Sequence, residues 1–334
     1  MRVLVTGAGD YLGRRLIARL ADGLPAGGRI LGIAGEPMGA GDPASAGDPA
    51  LPGVAHRTVD PLDPAALTAT VADFDPTVVV HLAALASVAE SSRTPAHAWR
   101  ADLLGSLNLA EAVGRACRGA RFVFVSSTEV YGAARAGACL DEAVPPRPCN
   151  IFGRTKHACE AILRDVLSTA RVRHTVLRPS NYIGPGQSTA FAAPSLAMQI
   201  ARVEAGLVPS AVAGSAFPPV IEVGDLGVCR DFIDADDVTA ACRAAIAADL
   251  PDGGVYNVSS GVATPIGAVL DTLRGLARAP FDVRVSPDRL RPSEVRSVCC
   301  DASAFAAATG WRPEVPLARS LAAILDDARG RVAV

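Results

Sequence analysis

Short apolar runs alternate with amphipathic stretches from the first residue of the chain. Met1 to Thr6, Arg29 to Gly35, Thr77 to Leu82, Arg121 to Ser126 and Arg171 to Leu177 are each dominated by β-branched and other apolar residues, the pattern of buried strands. Between and after them, Leu12 to Ala21, Ala96 to Ala116, the stretch that starts just after Pro148, and Ala190 to Gly206 read as helices, and Pro218 to Val223 as a further strand. This order predicts an α/β fold with a doubly wound parallel sheet and a smaller C-terminal domain. The expected division is 1–180 for the sheet domain, with 226–256 returning to it, and 181–225 with 257–334 for the second domain. Pro37 to Gly53, rich in Gly, Ala, Pro and Asp, reads as a surface loop. No internal repeat is visible.

Two stretches carry chemistry. The first is Gly7-Ala8-Gly9-Asp10-Tyr11-Leu12-Gly13, a glycine turn between a strand and a helix, which is the context of a dinucleotide-binding fingerprint. Gly7 makes the tight turn and Gly13 lets helix and strand pack closely. Asp10 has three readings. A carboxylate about 5 Å from a phosphate costs up to roughly 3 kcal/mol at an effective dielectric near 20. Alternatively Asp10 caps the helix and uses the N–H groups that a phosphate wants, or it turns to solvent while Gly9 makes the room. The second stretch runs from Arg121 to Glu160. Ser127, Thr128 and Glu129 follow a strand at its carboxyl end, where open α/β sheets place their chemistry. Phe152 and Lys156 are four apart, on one face of a helix.

Ser126-Ser127-Thr128-Glu129-Val130-Tyr131-Gly132, followed by Pro148, Gly153, Thr155, Lys156 and Glu160, resembles the extended short-chain dehydrogenase/reductase family, in particular its nucleotide-sugar members. Their pattern is Ser-Ser-x-x-Val-Tyr-Gly, then Pro-x-x-x-Tyr-x-x-Ser-Lys. Phe152 occupies the place of the family's catalytic tyrosine, and a phenyl ring has no proton to give or take. Asp10, Ala34 and Asp102 also depart from the family, which has glycine, an acid and asparagine there. The likeness continues through Asp60-Pro61-Leu62, Arg178 to Gln187, Arg230 to Val238, Gly254 to Val258, Arg291 to Glu294 and Gly310 to Pro313. Asn181 to Ser188, Ala201 to Gly206 and Pro219 to Gly224 look like GDP-4-keto-6-deoxy-mannose reductases.

The resemblance implies NAD or NADP held by Gly7, Gly9, Asp10, Tyr11, Leu12, Gly13, Glu36, Asp60, Leu62, Leu82, Ala83, Ala84, Lys156 and Arg178. NAD is favoured, because Glu36 is the nearest acid after the second strand and no arginine follows it. A nucleotide sugar carrying GDP or dTDP would meet Ser87, Asn181, Arg230, Arg291 and Glu294. Catalysis falls to Ser127, Thr128, Glu129 and Lys156, with Phe152 as the gap. Glu129 sits where the 4,6-dehydratases of the family keep a glutamate base; it reads otherwise as a surface residue at a strand end, and Lys156 as a solvated helix lysine. Three functions stay open: reduction of a nucleotide-activated 4-keto-6-deoxyhexose, epimerisation or dehydration through Glu129 with nicotinamide regenerated each cycle, and nucleotide-sugar binding without turnover.

Composition trims the alternatives. The chain has 334 residues, half of them hydrophobic, and a net charge of −2 from 32 basic and 34 acidic side chains without a basic run, which argues against nucleic acid. No apolar run approaches the roughly 20 residues of a membrane span, and MRVLVTG enters a strand directly, so the expected place is the cytoplasm. The five histidines show no metal-ligand spacing and no metal is expected. The eight cysteines contain no C-x-x-C pair, Cys299 and Cys300 are adjacent in a poor disulfide geometry, and the eight read as small buried hydrophobes. A homodimer is expected.

Overall fold

In a computed structural model, residues 1–36, 51–82, 88–132, 139–208, 218–290 and 295–333 are described. The strands are β1 (Arg2–Thr6), β2 (Arg29–Ala34), β3 (Val54–Thr58), β4 (Val78–His81), β5 (Arg121–Val125), β6 (Arg173–Pro179), β7 (Asn181–Ile183), β8 (Val220–Val223), β9 (Cys229–Asp234), β10 (Gly254–Val258), β11 (Ala263–Pro265) and β12 (Asp282–Val285). Seven of them form one sheet in the order β10-β6-β5-β4-β1-β2-β3, every pair parallel. The order reverses between β1 and β4. That switch opens a crevice at the carboxyl ends of the strands, where doubly wound sheets bind their ligands.

Each face of the sheet is covered, as near-continuous apolar strands require. Val3 and Val5 of β1 pack with Leu12, Leu16 and Leu20 of α1 (Tyr11–Asp22) on one face. Leu4 and Leu31 pack on the other face with α2 (Pro64–Phe74), α5 (Gly105–Ala116) and α6 (Ile151–Ala170). Preceding α5 are α3 (Val88–Arg93) and α4 (Pro95–Trp99).

A separate apolar cluster joins α7 (Ala192–Glu204), β8, α9 (Ile266–Leu276) and α11 (Leu317–Val332). A small sheet, β11-β9-β7, lies between these parts in the chain's connectivity, and β8 pairs with β12. Residues 226–256 divide their allegiance. β9 pairs with β7 and β11, whereas Val238, Ala241 and Cys242 of α8 (Ala235–Ala247) join the core around β1, and β10 is an edge of the large sheet. α10 (Ser303–Thr309) brings Phe305 into the same core.

Two expectations are corrected. The single helix expected over Ala96–Ala116 is α4, a π-helical turn at Arg100–Leu104, and α5. The wide turn carries Asp102, which is buried and accepts a hydrogen bond from Thr155 Oγ1 of α6 at 2.6 Å. A buried carboxylate needs such a partner. The cysteines are not all small buried hydrophobes: Cys139, which is exposed, and Cys299 form a disulfide. A parallel bridge between Leu140 and Cys300 sets the preceding residues side by side, a proximity across 160 positions that spacing alone does not reveal. Cys299 and Cys300 do not pair with each other, and Cys300 is a buried thiol.

Candidate active site

The floor of the crevice is the turn after β1. Gly7 has φ +69°, a left-handed conformation costly to other residues. A Cβ on Gly13 would stand 2.0 Å from the Gly7 carbonyl oxygen, so only glycine lets α1 begin this close to the strand. Asp10 has the extended backbone of an N-cap residue, but its side chain does not cap α1. The capping reading of Asp10 therefore falls, and the N-terminal amides of α1 are not consumed by it. Asp10 is exposed, yet within electrostatic reach of Lys156 and Tyr182. A turn with no room for a Cβ at position 13, at a helix N-terminus that the Asp10 side chain does not cap, fits a dinucleotide pyrophosphate.

Tyr11 turns inward. Its ring stacks on that of Tyr182, with centroids 6.4 Å apart, under the Arg15 guanidinium. Burial pushes both phenols up, Tyr182 to about 12. Leu12 belongs to the core. Glu36 is exposed just beyond β2. The Asp60 carboxylate accepts the Leu62 backbone N–H at 2.8 Å, which shapes a turn beside the half-exposed Leu62. Leu82 follows β4, half-buried. Ala83, Ala84, Ser87, Arg291 and Glu294 lie outside the described residues.

The wall is the turn after β5 and the first turns of α6. The Ser127 hydroxyl oxygen accepts the Glu129 backbone N–H at 3.2 Å, so its proton stays available for another acceptor. Thr128 is buried, with its hydroxyl against the Cys300 thiol. A Cβ on Gly153 would meet the Glu129 carbonyl oxygen at 2.5 Å, which shows how tightly the Ser127–Glu129 turn lies on α6. Asn150 bridges the two: its Oδ1 accepts the Gly153 N–H at 2.8 Å, and its Nδ2 donates to Glu129 Oε2 at 2.7 Å. Phe152 is half-buried in that same helical turn.

Lys156 is not the solvated helix lysine that its type suggests. It is buried, donates to the Val125 carbonyl at 2.8 Å, and holds its ammonium 5.0 Å from the Phe124 ring centroid and 6.0 Å from that of Phe152. Burial lowers its pKa, against the pull of Asp102 first and of Cys159, Glu160 and Asp10 after it. Behind it lies His81, which sequence reasoning missed. Its ring nitrogens meet Thr6 Oγ1 at 2.7 Å and Ser106 Oγ at 2.8 Å, and burial, then Lys156, lowers its pKa to about 3. His81 is therefore neutral near pH 7. A lone histidine ending an apolar strand carries no motif, so no sequence signal marked it.

Arg178 stands apart from the proposed cofactor set. Its guanidinium is buried and committed to Glu160 at 2.6 and 2.9 Å and to the Tyr131 hydroxyl at 2.9 Å. Tyr131 in turn donates to Asn257 Oδ1, whose Nδ2 donates to the Leu140 and Asp301 carbonyls. This network braces the wall from behind. Asn181 is half-buried on β7, and Arg230 on β9 donates to the Cys229 and Val295 carbonyls while facing Glu129 electrostatically. Ser127, Glu129, Asn150, Phe152, Lys156 and Arg230 thus converge from separate parts of the chain.

No helix among the described residues is long and apolar enough to cross a membrane. A GDP-6-deoxy-D-mannose reductase from Pseudomonas aeruginosa is 36% identical over 77% of this chain and 82% of its own length. Among solved structures, RMD from Pseudomonas aeruginosa complexed with NADPH is 32% identical over 99% of both chains, with a TM-score of 0.79. The UDP-glucose 4-epimerase of Thermus thermophilus in complex with NAD is 28% identical over 99% of both, with a TM-score of 0.81. The model of the NAD dependent epimerase/dehydratase family matches residues 3–259, and the chain belongs to that family of nucleotide-sugar enzymes.

Proposed function

We propose that the protein reduces a nucleotide-activated 4-keto-6-deoxyhexose, a GDP-sugar first, with NADH or NADPH. The observation that carries this reading is the Ser127–Glu129 turn locked against the first turn of α6 beside a buried lysine, together with 36% identity to a GDP-6-deoxy-D-mannose reductase. Gly7, Gly9 and Gly13 with the N-terminus of α1 would hold the pyrophosphate, and Glu36, Asp60, Leu62 and Leu82 would border the adenosine half. When bound, the nicotinamide supplies the hydride. The protein supplies position and a proton. Ser127 donates its hydroxyl hydrogen to the ketone oxygen, since its lone pair already holds the Glu129 amide. Lys156 adds positive charge near that oxygen. Phe152 excludes water but delivers nothing. The proton falls to Glu129, acting as a general acid in its carboxylic form. Asn181 and Arg230 meet the sugar diphosphate. Residues 1–180 with parts of 226–256 form the dinucleotide half, the remainder the sugar half, and the working unit is a homodimer.

The test is loss of nicotinamide absorbance on mixing with GDP-4-keto-6-deoxymannose, with the dTDP-linked ketohexose and UDP-glucose as parallel arms. Stoichiometric cofactor oxidation with a GDP- or dTDP-ketohexose supports reduction. Epimer formation from UDP-glucose without net cofactor change would replace reduction by epimerisation. Binding of every sugar without product would leave a non-catalytic homologue.

A further inference from the structure

Asn150 makes two bonds that serve different ends. Its carbonyl caps α6 through the Gly153 N–H, as an asparagine at this place is suited to do. Its amide nitrogen has no part in capping and reaches instead to Glu129 Oε2, across 21 positions of sequence. The other carboxylate oxygen of Glu129, Oε1, accepts no hydrogen bond among the described residues. The cap and the acid are therefore set by one side chain, itself fixed at the start of the helix that carries Phe152 and Lys156.

We propose that Asn150 is the positioning residue for Glu129: it holds Oε2 to the first turn of α6 and leaves Oε1 to face the reacting sugar oxygen. This rests on the proposed reduction and deepens it. Helices with a serine or aspartate at this position are capped equally well, so the tether is a separate property of the asparagine amide. Arg230 on β9 is a charged group that interacts electrostatically with Glu129, while Thr128 beside it faces the Cys300 thiol. Asn150 therefore sets the direction of the acid.

Two conservative variants separate the tether from the cap. Asn150→Ser keeps the cap but is too short to reach Glu129. Its melting temperature should stay within about 2 °C of the parent, while kcat falls about tenfold with KM unchanged, the mark of an interaction made in the transition state. Asn150→Asp also keeps the cap, but sets a second carboxylate against Glu129 and should raise the latter's titration midpoint by about one pH unit or more. That midpoint is read directly by carbon NMR of glutamate-labelled protein without substrate, with Glu129→Gln identifying the signal. The alkaline limb of the reduction rate should move up by the same amount. An Asn150→Asp protein whose Glu129 signal titrates as in the parent overturns the tether, whatever the reaction. A Glu129→Gln protein with full kcat overturns Glu129 as the acid, whatever Asn150 does.

Discussion

Phe152 is the residue on which the chemistry turns, and the structure sharpens its consequence. A tyrosine at 152 would project its oxygen into a site where the nearby ammonium of Lys156 is already held by the Val125 carbonyl and two phenyl faces. If Glu129 serves the sugar oxygen, that phenol adds little. Phe152→Tyr should change kcat by less than about tenfold, while Glu129→Gln should lower it by about 10²–10⁴, the worth of a positioned acid. Steady-state rates of both variants with the GDP-ketohexose decide it: a rise of two or more orders in Phe152→Tyr would return the proton to position 152. Asp10 gives a second test. It stands exposed at the cofactor turn without capping α1. Asp10→Gly should tighten NAD(P) binding about tenfold by calorimetry, the size expected when a partly screened like charge is removed; unchanged affinity would mean its carboxylate points away from the phosphates. At this scale the sequence disclosed which residue types had changed but not their surroundings. The family resemblance puts Lys156 in the site, but its burial and its bond to the Val125 carbonyl are not written in the local sequence. His81 and the amide of Asn150 act through contacts across 25 and 21 positions of chain, which no local pattern encodes.

Elements were more legible than contacts, because their signals are local. The apolar runs of β1, β2, β4 and β5 and the glycine turn appear where a period-2 or continuous apolar pattern and a φ > 0 residue place them. The helix expected over Ala96–Ala116 differs from the structure in its interior. A π turn keeps helical periodicity nearly intact, and the contact it carries, Asp102 with Thr155 on α6, is tertiary. The disulfide was missed for the same reason. The contact between β1 and α1 supplies a prediction: Gly13→Ala drives a Cβ into the Gly7 carbonyl, backbone against backbone, where no side chain can yield. The helix must move off the strand. Urea denaturation should show a loss of about 1–3 kcal/mol, and dinucleotide binding should weaken with it. A variant as stable as the parent would mean that the helix lifts without penalty.

Across the whole molecule, the Glu160–Arg178–Tyr131–Asn257 chain links α6, β6, the wall of the site and β10, then reaches the segment around Leu140 and Asp301. Its ends were visible as family-matching residues, but their assembly into one buried network was not, since the four come from distant parts of the sequence. The network fixes how stability depends on pH. Burial alone would raise the Glu160 carboxyl, but Arg178, with help from His157 and Ser126, holds it down at about 2 against an ordinary 4.5. A carboxyl lowered on folding adds stability that is complete above its unfolded value and is lost as pH falls through the folded one. The window is therefore about 4.5 down to 2, and the contribution above it is about 3 kcal/mol, at 1.36 kcal/mol per pH unit. Glu160→Gln removes this term and leaves the Arg178 charge buried without its partner, a loss of about 3–5 kcal/mol near neutrality. Comparing parent and variant cancels the carboxylates they share. Urea unfolding at pH 7, 5, 4 and 3 should show a constant gap down to pH 5, then a narrowing by about 2 kcal/mol at pH 3 as the parent approaches the proton uptake of its buried glutamate. A gap that stays constant to pH 3 would mean that Glu160 is not held ionised by Arg178, and the wall of the site would then need another brace.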